Sequence, residues 1–275
     1  MINNQIIEDD VLAGTKIIPD GSVQCIIADP PYFRVLLGEA WDTSWKTEED
    51  YLEWSVSWLR AVMPKLKQNG LLYVFGQPGK REHAWLHLCS RFANEMQFHD
   101  LLVWDRVVGY NDRKDSFTPQ YENILVLRHV GCSDPFFNKD AVRVPYTESQ
   151  IRTYSKDKRY VDREARQRHL EKGKYSTNIL RYPSLKGSSR EKVGHPSQKP
   201  LALIRDLILA SSSVGDTVLD PFLGSGTTAV AAQQLRRNWL GIERSSEYVS
   251  MAKERIAADL RSAQCELQFT SEEQT

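Results

Sequence analysis

Val23-Gln-Cys-Ile-Ile-Ala-Asp-Pro-Pro-Tyr32 is the stretch on which the reading of this chain turns. Its first six residues form a short apolar run, the pattern of a strand buried inside a parallel sheet. In open α/β sheets ligands bind just beyond the carboxyl ends of the strands. Asp29-Pro30-Pro31-Tyr32 falls at that place. Asp29 and the Pro30 carbonyl are acceptors only, suited to the two hydrogens of an exocyclic amino group. The prolines lack N–H and have fixed φ, so they stiffen the turn. Tyr32 offers a flat face for a base. The bland alternative is a Pro-Pro turn capped by Asp29.

Upstream, Gln5–Ile7 reads as a strand running to Glu8-Asp9-Asp10, and Val11–Ile18 as a helix or turn stopped by Pro19. Asp10 is thereby a second acidic strand end and also a candidate helix N-cap. Downstream, residues 33–47, with Trp41, Asp42 and Trp45, read as a loop over the site. A helix is predicted from Glu48 to about Leu66, stopping at Gly70, with acidic residues in its first turn. Leu71–Phe75, Leu101–Trp104 and Ile124–Leu127 read as strands and Arg81–Phe92 as a helix.

The rhythm is lost from 130 to 194. Residues 143–192 carry 14 Lys/Arg against six Asp/Glu, although the whole chain of 275 residues is neutral. Tyrosines interleave with the cations, and residues near 147–171 read as helical. A solvated charged helix is the ordinary explanation. The size of the excess and the aromatics favour a surface for phosphates and unstacked bases.

The rhythm returns at His195-Pro-Ser-Gln-Lys-Pro200 and a helix over Leu201–Ser212. The strand Asp216–Leu219 then opens onto Asp220-Pro-Phe-Leu-Gly224-Ser-Gly226-Thr-Thr228. A helix over Thr227–Leu235 and a strand over Trp239–Ile242, ending at Glu243, follow. The last helix is predicted over Glu247–Ala263, with a frayed polar tail from Gln264. Strand, glycine loop, helix, strand and acidic residue is the logic of a nucleotide-type site, Glu243 being placed for a ribose diol. The loop is not G-x-G-x-x-G, and Asp220 repels a pyrophosphate. A ligand with a cationic amino group, a ribose and an adenine fits better, as in S-adenosylmethionine. The plain alternative is a tight turn capped by Asp220.

Cys25, Cys89, Cys132 and Cys265 are scattered, so neither a metal site nor a disulfide framework is expected. That usage suits a reducing cytosol. No stretch approaches the ~18 apolar residues of a membrane span. The expectation is a cytoplasmic, nucleoid-associated protein.

Taken together, the two constellations resemble the amino-methyltransferases of DNA. Asp29-Pro-Pro-Tyr32 looks like their catalytic motif in the form typical of N6-adenine enzymes; N4-cytosine enzymes more often begin with Ser. Residues 220–228 look like the cofactor motif, and His195–Pro200 resembles the stretch leading into it. Catalytic motif first, basic insertion second and cofactor motif last is the permuted order of the β class. The resemblance spans about residues 5–263 and is weakest over 130–194.

The resemblance implies an α/β, Rossmann-like S-adenosylmethionine-dependent methyltransferase sheet, circularly permuted, with an inserted target-recognition region. Its parts are a catalytic half over 1–129, the basic insertion over 130–194, a cofactor-binding half over 195–265 and a polar tail over 266–275. It implies methyl transfer to N6 of a flipped-out adenine in DNA. Asp29, Pro30, Pro31 and Tyr32 would form the catalytic turn. Asp10, Asp220, Phe222, Gly224, Ser225, Gly226, Thr227 and Glu243 would hold the cofactor. Lys199 is placed with them, and packing of its segment onto the sheet is the alternative. Arg152, Lys158, Arg159, Arg163, Arg166 and Arg168 would meet DNA. A homodimer and a cognate restriction endonuclease are left open as partners.

The nearest rival is an N4-cytosine methyltransferase of the same geometry. A binding protein that kept the fold without activity is a rival from another class. An RNA or protein methyltransferase fits the motif order less well, and a nucleotide-dependent oxidoreductase is disfavoured by Asp220. Because an amino nitrogen can attack a sulfonium methyl directly, no cysteine nucleophile is required, and Cys25 is read as core.

Overall fold

The computed structural model describes residues 3–36, 38–78, 83–110, 114–157, 159 and 161–272, with side chains through 262. The chain begins with β1 (Gln5–Glu8), the short helix α1 (Val11–Gly14) and β2 (Val23–Ala28). It continues with α2 (Glu48–Val62), β3 (Leu66–Gly76), α3 (Ala84–Glu95), β4 (Gln97–Asp105) and β5 (Tyr121–Arg128). After α4 (Glu148–Ser155), α5 (Arg163–Lys172) and β6 (Ile179–Arg181) come α6 (Leu201–Ser211), β7 (Thr217–Asp220), α7 (Thr227–Gln234), β8 (Asn238–Glu243) and α8 (Ser246–Glu272).

The strands form one mixed sheet in the order β1-β8-β7-β2-β3-β5-β4-β6. Among the described strands only β5 runs against its neighbours. All six residues of β2 are buried, as its apolar run predicts for a strand paired on both sides. Its side chains alternate between two cores. Ile26 and Ala28 pack with Trp58 and Leu59 of α2 and Phe92 of α3. Cys25 and Ile27 pack on the other face with Ile204 and Ile208 of α6 and Ala231 of α7. Each fully buried Ile or Leu contributes about 2 kcal/mol, so the layers clamp β2 firmly. From β2 the chain steps to β3 on one side, and from β7 it steps to β8 on the other. The boundary between β2 and β7 is therefore a topological switch point, where open α/β sheets bind ligands.

Several boundaries differ from the expectation. Helix α2 starts as predicted, with a capping box in which Thr47 and Asp50 satisfy each other's backbone N–H. It ends at Val62, and a tight turn over Met63–Lys65 delivers Leu66 to β3. Pro64, not Gly70, is the stop. Gly70 lies within β3, where a Cβ would come within 2.7 Å of the Gln24 carbonyl oxygen. Helix α3 begins at Ala84, and residues 79–82 lie outside the described residues. The basic segment, read as helical near 147–171, forms the two helices α4 and α5, and the helix α8 runs through the expected frayed tail to Glu272. β6, inside the stretch read as having lost the strand–helix rhythm, pairs with β4 and extends the sheet.

Candidate active site and cofactor cleft

The switch point brings the two motifs together. Ile26 of β2 pairs with Leu219 of β7, so Asp29 and Asp220 leave adjacent strands at the same edge of the sheet. The turn after Asp29 is held from outside itself. Phe33 and Arg34 adopt left-handed φ values of +61° and +58°, which side chains other than Gly rarely take. Fully buried Asp42 stabilises this path. One of its carboxylate oxygens accepts from Tyr32 N, and the other accepts from Val35 N and Leu36 N, each at 2.6 Å. The Tyr51 hydroxyl donates to the Pro31 carbonyl at 2.8 Å. No hydrogen bond among the described residues uses the Pro30 carbonyl, which leaves it available as an acceptor.

Asp29 sits in a charged network. The Tyr32 hydroxyl donates to its Oδ1 at 2.6 Å and lies 3.1 Å from Glu122 Oε2. Burial, with the Asp29 and Glu122 carboxylates alongside, raises the Tyr32 hydroxyl far above the usual tyrosine range, so it remains a donor. Lys199 Nζ donates to Asp29 Oδ2 at 2.6 Å and lies 3.6 Å from Glu122 Oε2. Lys199 thus meets the Asp29 turn directly, and it also borders the cleft of the glycine loop, where the sequence reading placed it. Arg106 closes the network, 3.1 Å from the other Glu122 oxygen and 4.2 Å above the Tyr110 ring.

The glycine loop is built to keep its backbone close. Gly224 has φ +49°, and a Cβ there would come within 3.0 Å of the His195 ring. Its N–H donates to Glu243 Oε2 at 2.9 Å, while Ser245 N donates to Oε1 at 2.9 Å. A carboxylate has further lone pairs, so Glu243 retains acceptor capacity for hydroxyls. Arg255 of α8 binds the loop from behind, donating to Thr227 Oγ1 at 2.7 Å and Ser225 Oγ at 3.2 Å. Burial pushes His195 down to about 4, so its ring is neutral near pH 7. Its Nδ1 accepts from Ser197 N at 3.3 Å, which puts the proton on Nε2.

Asp220 tests the fit of the cofactor. It is 5 % exposed. Burial pushes its carboxyl up to about 7, against the Phe222 N–H at 2.9 Å, with the charges of Asp29 and Glu243 adding to the rise. A buried carboxylate bordering a cleft and short of a cation suits a ligand carrying an amino cation. That cleft is bordered by Asp10, Asp220, Phe222, Gly224, Ser225 and Glu243, and reaches Asp29. Thr227 borders it as well, while Gly226 is the left-handed residue, φ +77°, that starts α7. Asp10 caps α1 by accepting from Leu12 N at 2.9 Å, so its capping and cleft-lining roles coexist. A second cavity is bordered by Pro30, Tyr32, Gln77, Trp104, Arg106 and Glu122. Asp29, Trp41 and Lys199 border both cavities. Cys25 lies in the core, where burial pushes its thiol up to about 12. That value excludes a ready nucleophile.

The basic residues lie apart, on the hairpin of α4 and α5. Reciprocal bonds between Val144 and Lys174, both 2.9 Å, close the hairpin at its base. Arg152, Arg159, Arg163 and Arg168 are exposed; Lys158 lies outside the described residues. Arg159 pairs with Asp157 at 2.7 Å, and Arg168 with Glu164 at 3.7 Å. Arg166 is half-buried, its guanidinium 5.6 Å from the Tyr154 ring. The interleaved aromatics were read as platforms for bases. Tyr146 packs against Tyr154 and His169, and Tyr175 takes Arg143 at 3.9 Å, while Tyr154 and Tyr175 keep exposed surface.

Sequence reasoning missed Glu122 and Arg106 and saw Asp42 only as part of a loop. A Glu inside an apolar strand, Tyr121-Glu-Asn-Ile-Leu-Val, is the one local signal for Glu122, since an unpaired charge does not belong in such a place. Among the described residues no group of three or more His, Cys, Asp or Glu is placed to hold a metal ion, and no helix is long and apolar enough to cross a membrane.

An acceptor turn and a glycine loop on neighbouring strand ends of a Rossmann-like sheet open into two cavities that share one carboxylate, Asp29. The chain belongs to the DNA methylase family, whose sequence model matches residues 23–254 and covers both N6- and N4-directed enzymes. It is 31 % identical over 240 residues to type II methyltransferase M1.MboII of Moraxella bovis, covering 86 % of this chain and 89 % of that one. It is 32 % identical over 254 residues to the DNA adenine methyltransferase YhdJ of Escherichia coli K12, covering 91 % and 82 %. Among solved structures, the cytosine-N4-specific PvuII DNA methyltransferase shares the fold, with TM-score 0.69, 19 % identity and coverage of 93 % and 86 %. The M1.HpyAVI complex with S-adenosylmethionine aligns with TM-score 0.58, 26 % identity and coverage of 91 % and 98 %. The protein is an S-adenosylmethionine-dependent DNA methyltransferase.

Proposed function

We propose that this methyltransferase modifies N6 of adenine, that Asp29 and the Pro30 carbonyl accept the two hydrogens of the target amino group, and that the basic hairpin meets the DNA backbone. The observation that carries this reading is Asp29 at the junction of two cavities, one bordered by the glycine loop and the other by Tyr32, Trp104 and Arg106. S-adenosylmethionine supplies an electrophilic methyl group when bound. Asp220 would take its amino cation, Glu243 its ribose hydroxyls, and Gly224, Gly226, Phe222, Ser225, Thr227 and Asp10 would shape the cleft around it.

Asp29 and Pro30 O would hold the amino group so that positive charge developing on its nitrogen meets two acceptors. Tyr32 would face the base ring. Positioning of this kind is worth several kcal/mol or more. A base inside a duplex cannot enter the second cavity, so the target must be flipped out, at a cost of a few kcal/mol. The initial Asp of the motif and the likeness to an adenine enzyme support adenine over cytosine. The likeness to a type II methyltransferase supports a role in restriction-modification.

The test is transfer from labelled S-adenosylmethionine to unmethylated DNA of mixed sequence, followed by digestion and nucleoside separation. Label in N6-methyladenine is expected. Label in N4-methylcytosine would overturn the target while leaving the acceptor geometry intact.

A further inference from the structure

Lys199 is a charged side chain in a setting that ordinarily excludes one. It is 7 % exposed, and its Nζ lies 5.3 Å from the Tyr32 and Phe75 ring centres and 6.0 Å from that of Trp104. An ammonium stays in such a place only when paired. Its partners are two carboxylates, Asp29 at 2.6 Å and Glu122 at 3.6 Å. They come from different strands and stand 93 residues apart in the chain. The Tyr32 hydroxyl spans the same two carboxylates, and Arg106 neutralises the far oxygen of Glu122. Two cations and two anions therefore form a closed, balanced set, and of the four, Asp29 and Lys199 border both cavities.

We propose that Lys199 and Glu122 are a positioning pair for the methyl-transfer reaction: Lys199 holds Asp29 aimed at the junction of the cavities, and Glu122 shares the ammonium so that Asp29 remains a strong acceptor. The inference rests on the reading of Asp29 as the amino-group acceptor. A lysine paired with Asp29 alone would neutralise the acceptor that the reaction needs. Without the lysine, Asp29 and Glu122 would be two like charges bridged by one hydroxyl proton, with Asp220 also nearby, and the last proton would be held to higher pH. The neighbouring titratable groups are Tyr32 on the same turn, Glu122 on β5, Asp220 on β7, and Lys199 and His195 on the segment before α6. Of these, His195 is neutral above about pH 5, since burial holds it down to about 4.

The experiment compares wild type, Lys199→Met, Lys199→Arg, Glu122→Gln and the double variant Glu122→Gln/Lys199→Met. Two readouts are taken between pH 5 and 9: kcat with unmethylated mixed-sequence DNA, and the thermal midpoint of the ligand-free protein. Lys199→Met is expected to lower kcat, to move the acid limb of kcat upward by about one pH unit or more, and to lose stability relative to wild type as pH rises. Lys199→Arg keeps the cation and should keep the limb in place. The double variant should return the limb and the stability profile towards wild type, because it removes one charge of each sign. A limb and a stability profile unmoved by Lys199→Met, or unrestored in the double variant, would overturn the proposal and leave Lys199 as packing. Should Lys199→Met fail to bind S-adenosylmethionine, Lys199→Gln takes its place with the same expectation. Asp29→Asn separates the two layers: normal turnover in that variant would sink the acceptor reading itself, whatever the lysine variants do.

Discussion

Asp42 accepts the backbone N–H of Tyr32 at 2.6 Å, and through its second oxygen those of Val35 and Leu36, from a fully buried position. One carboxylate thus fixes a turn whose next two residues are in strained left-handed backbone. Asp42→Asn replaces an acceptor with an amide whose NH2 faces backbone donors. A misplacement of about 1 Å at a reacting centre can cost about a hundredfold in rate. The variant is expected to lose on the order of a hundredfold in single-turnover transfer, with S-adenosylmethionine affinity changed only a few-fold by calorimetry. An unchanged rate would show that the turn holds without Asp42.

Asp220 gives the cofactor cleft a pH dependence with a definite sign. Burial raises its folded value to about 7, above the ~3.9 of the unfolded chain. Between those values the folded state keeps a proton that the unfolded state has lost, so the Asp220 contribution to ligand-free stability falls as pH rises from about 4 to about 7. A ligand cation favours the ionised form. Affinity for S-adenosylmethionine should therefore weaken as pH falls below about 7, by up to about tenfold per unit, with protons released on binding. His195 leaves the affinity slope alone above about pH 5, being already neutral in the folded chain, but its folded value of about 4 lies below the ~6.5 of the unfolded chain, so its own contribution to stability rises with pH and opposes that of Asp220. Asp220→Asn should bind weakly and without this slope, as calorimetry in buffers of different ionisation heat would reveal. A slope retained in the variant would assign it elsewhere.

The hairpin of α4 and α5 is expected to act through charge. Arg163→Gln with Arg168→Gln removes two exposed cations. Each phosphate that the variant no longer neutralises should flatten the dependence of log affinity on log salt by up to about 0.9. Arg166 is excluded from this test because its guanidinium packs near Tyr154, and its loss would disturb the hairpin itself. DNA titrations at several salt concentrations measure the slope, and an unchanged slope would turn this face to solvent.

Gly224→Ala places a Cβ within 3.0 Å of His195 at φ +49°. Both the conformation and the contact oppose it, so a loss of about 1 kcal/mol or more in stability is expected. The loop that carries the Gly224 N–H to Glu243 would shift with it. Thermal melts and cofactor titration check both effects, and a variant as stable as wild type would contradict the tight packing of His195 on the loop.

The elements that position the site were legible wherever the signal was local. The six-residue run before Asp29, the glycine loop after Asp220, and Glu243 at the end of β8 each announce a strand end followed by a turn. What escaped depends on contacts between distant parts of the chain. Lys199 meets Asp29 from 170 residues away, Glu122 joins them through Lys199 and the Tyr32 hydroxyl, and nothing in their own neighbourhoods fixes that meeting. β6 is three residues long, too short for alternation to register. Tyr146 and Tyr175 pack against His169 of α5, a contact that no local pattern announces, while Tyr154 and Tyr175 keep exposed surface.

The proposed chemistry depends above all on Asp29 at the shared edge of the two cavities, and Asp29→Ala tests it most directly. One preparation is titrated with S-adenosylmethionine and then assayed for label transfer to unmethylated mixed-sequence DNA. The geometry predicts cofactor affinity within a few-fold of wild type and no detectable transfer. Normal turnover in a variant that binds the cofactor would contradict the assignment of Asp29 as the acceptor of the target amino group.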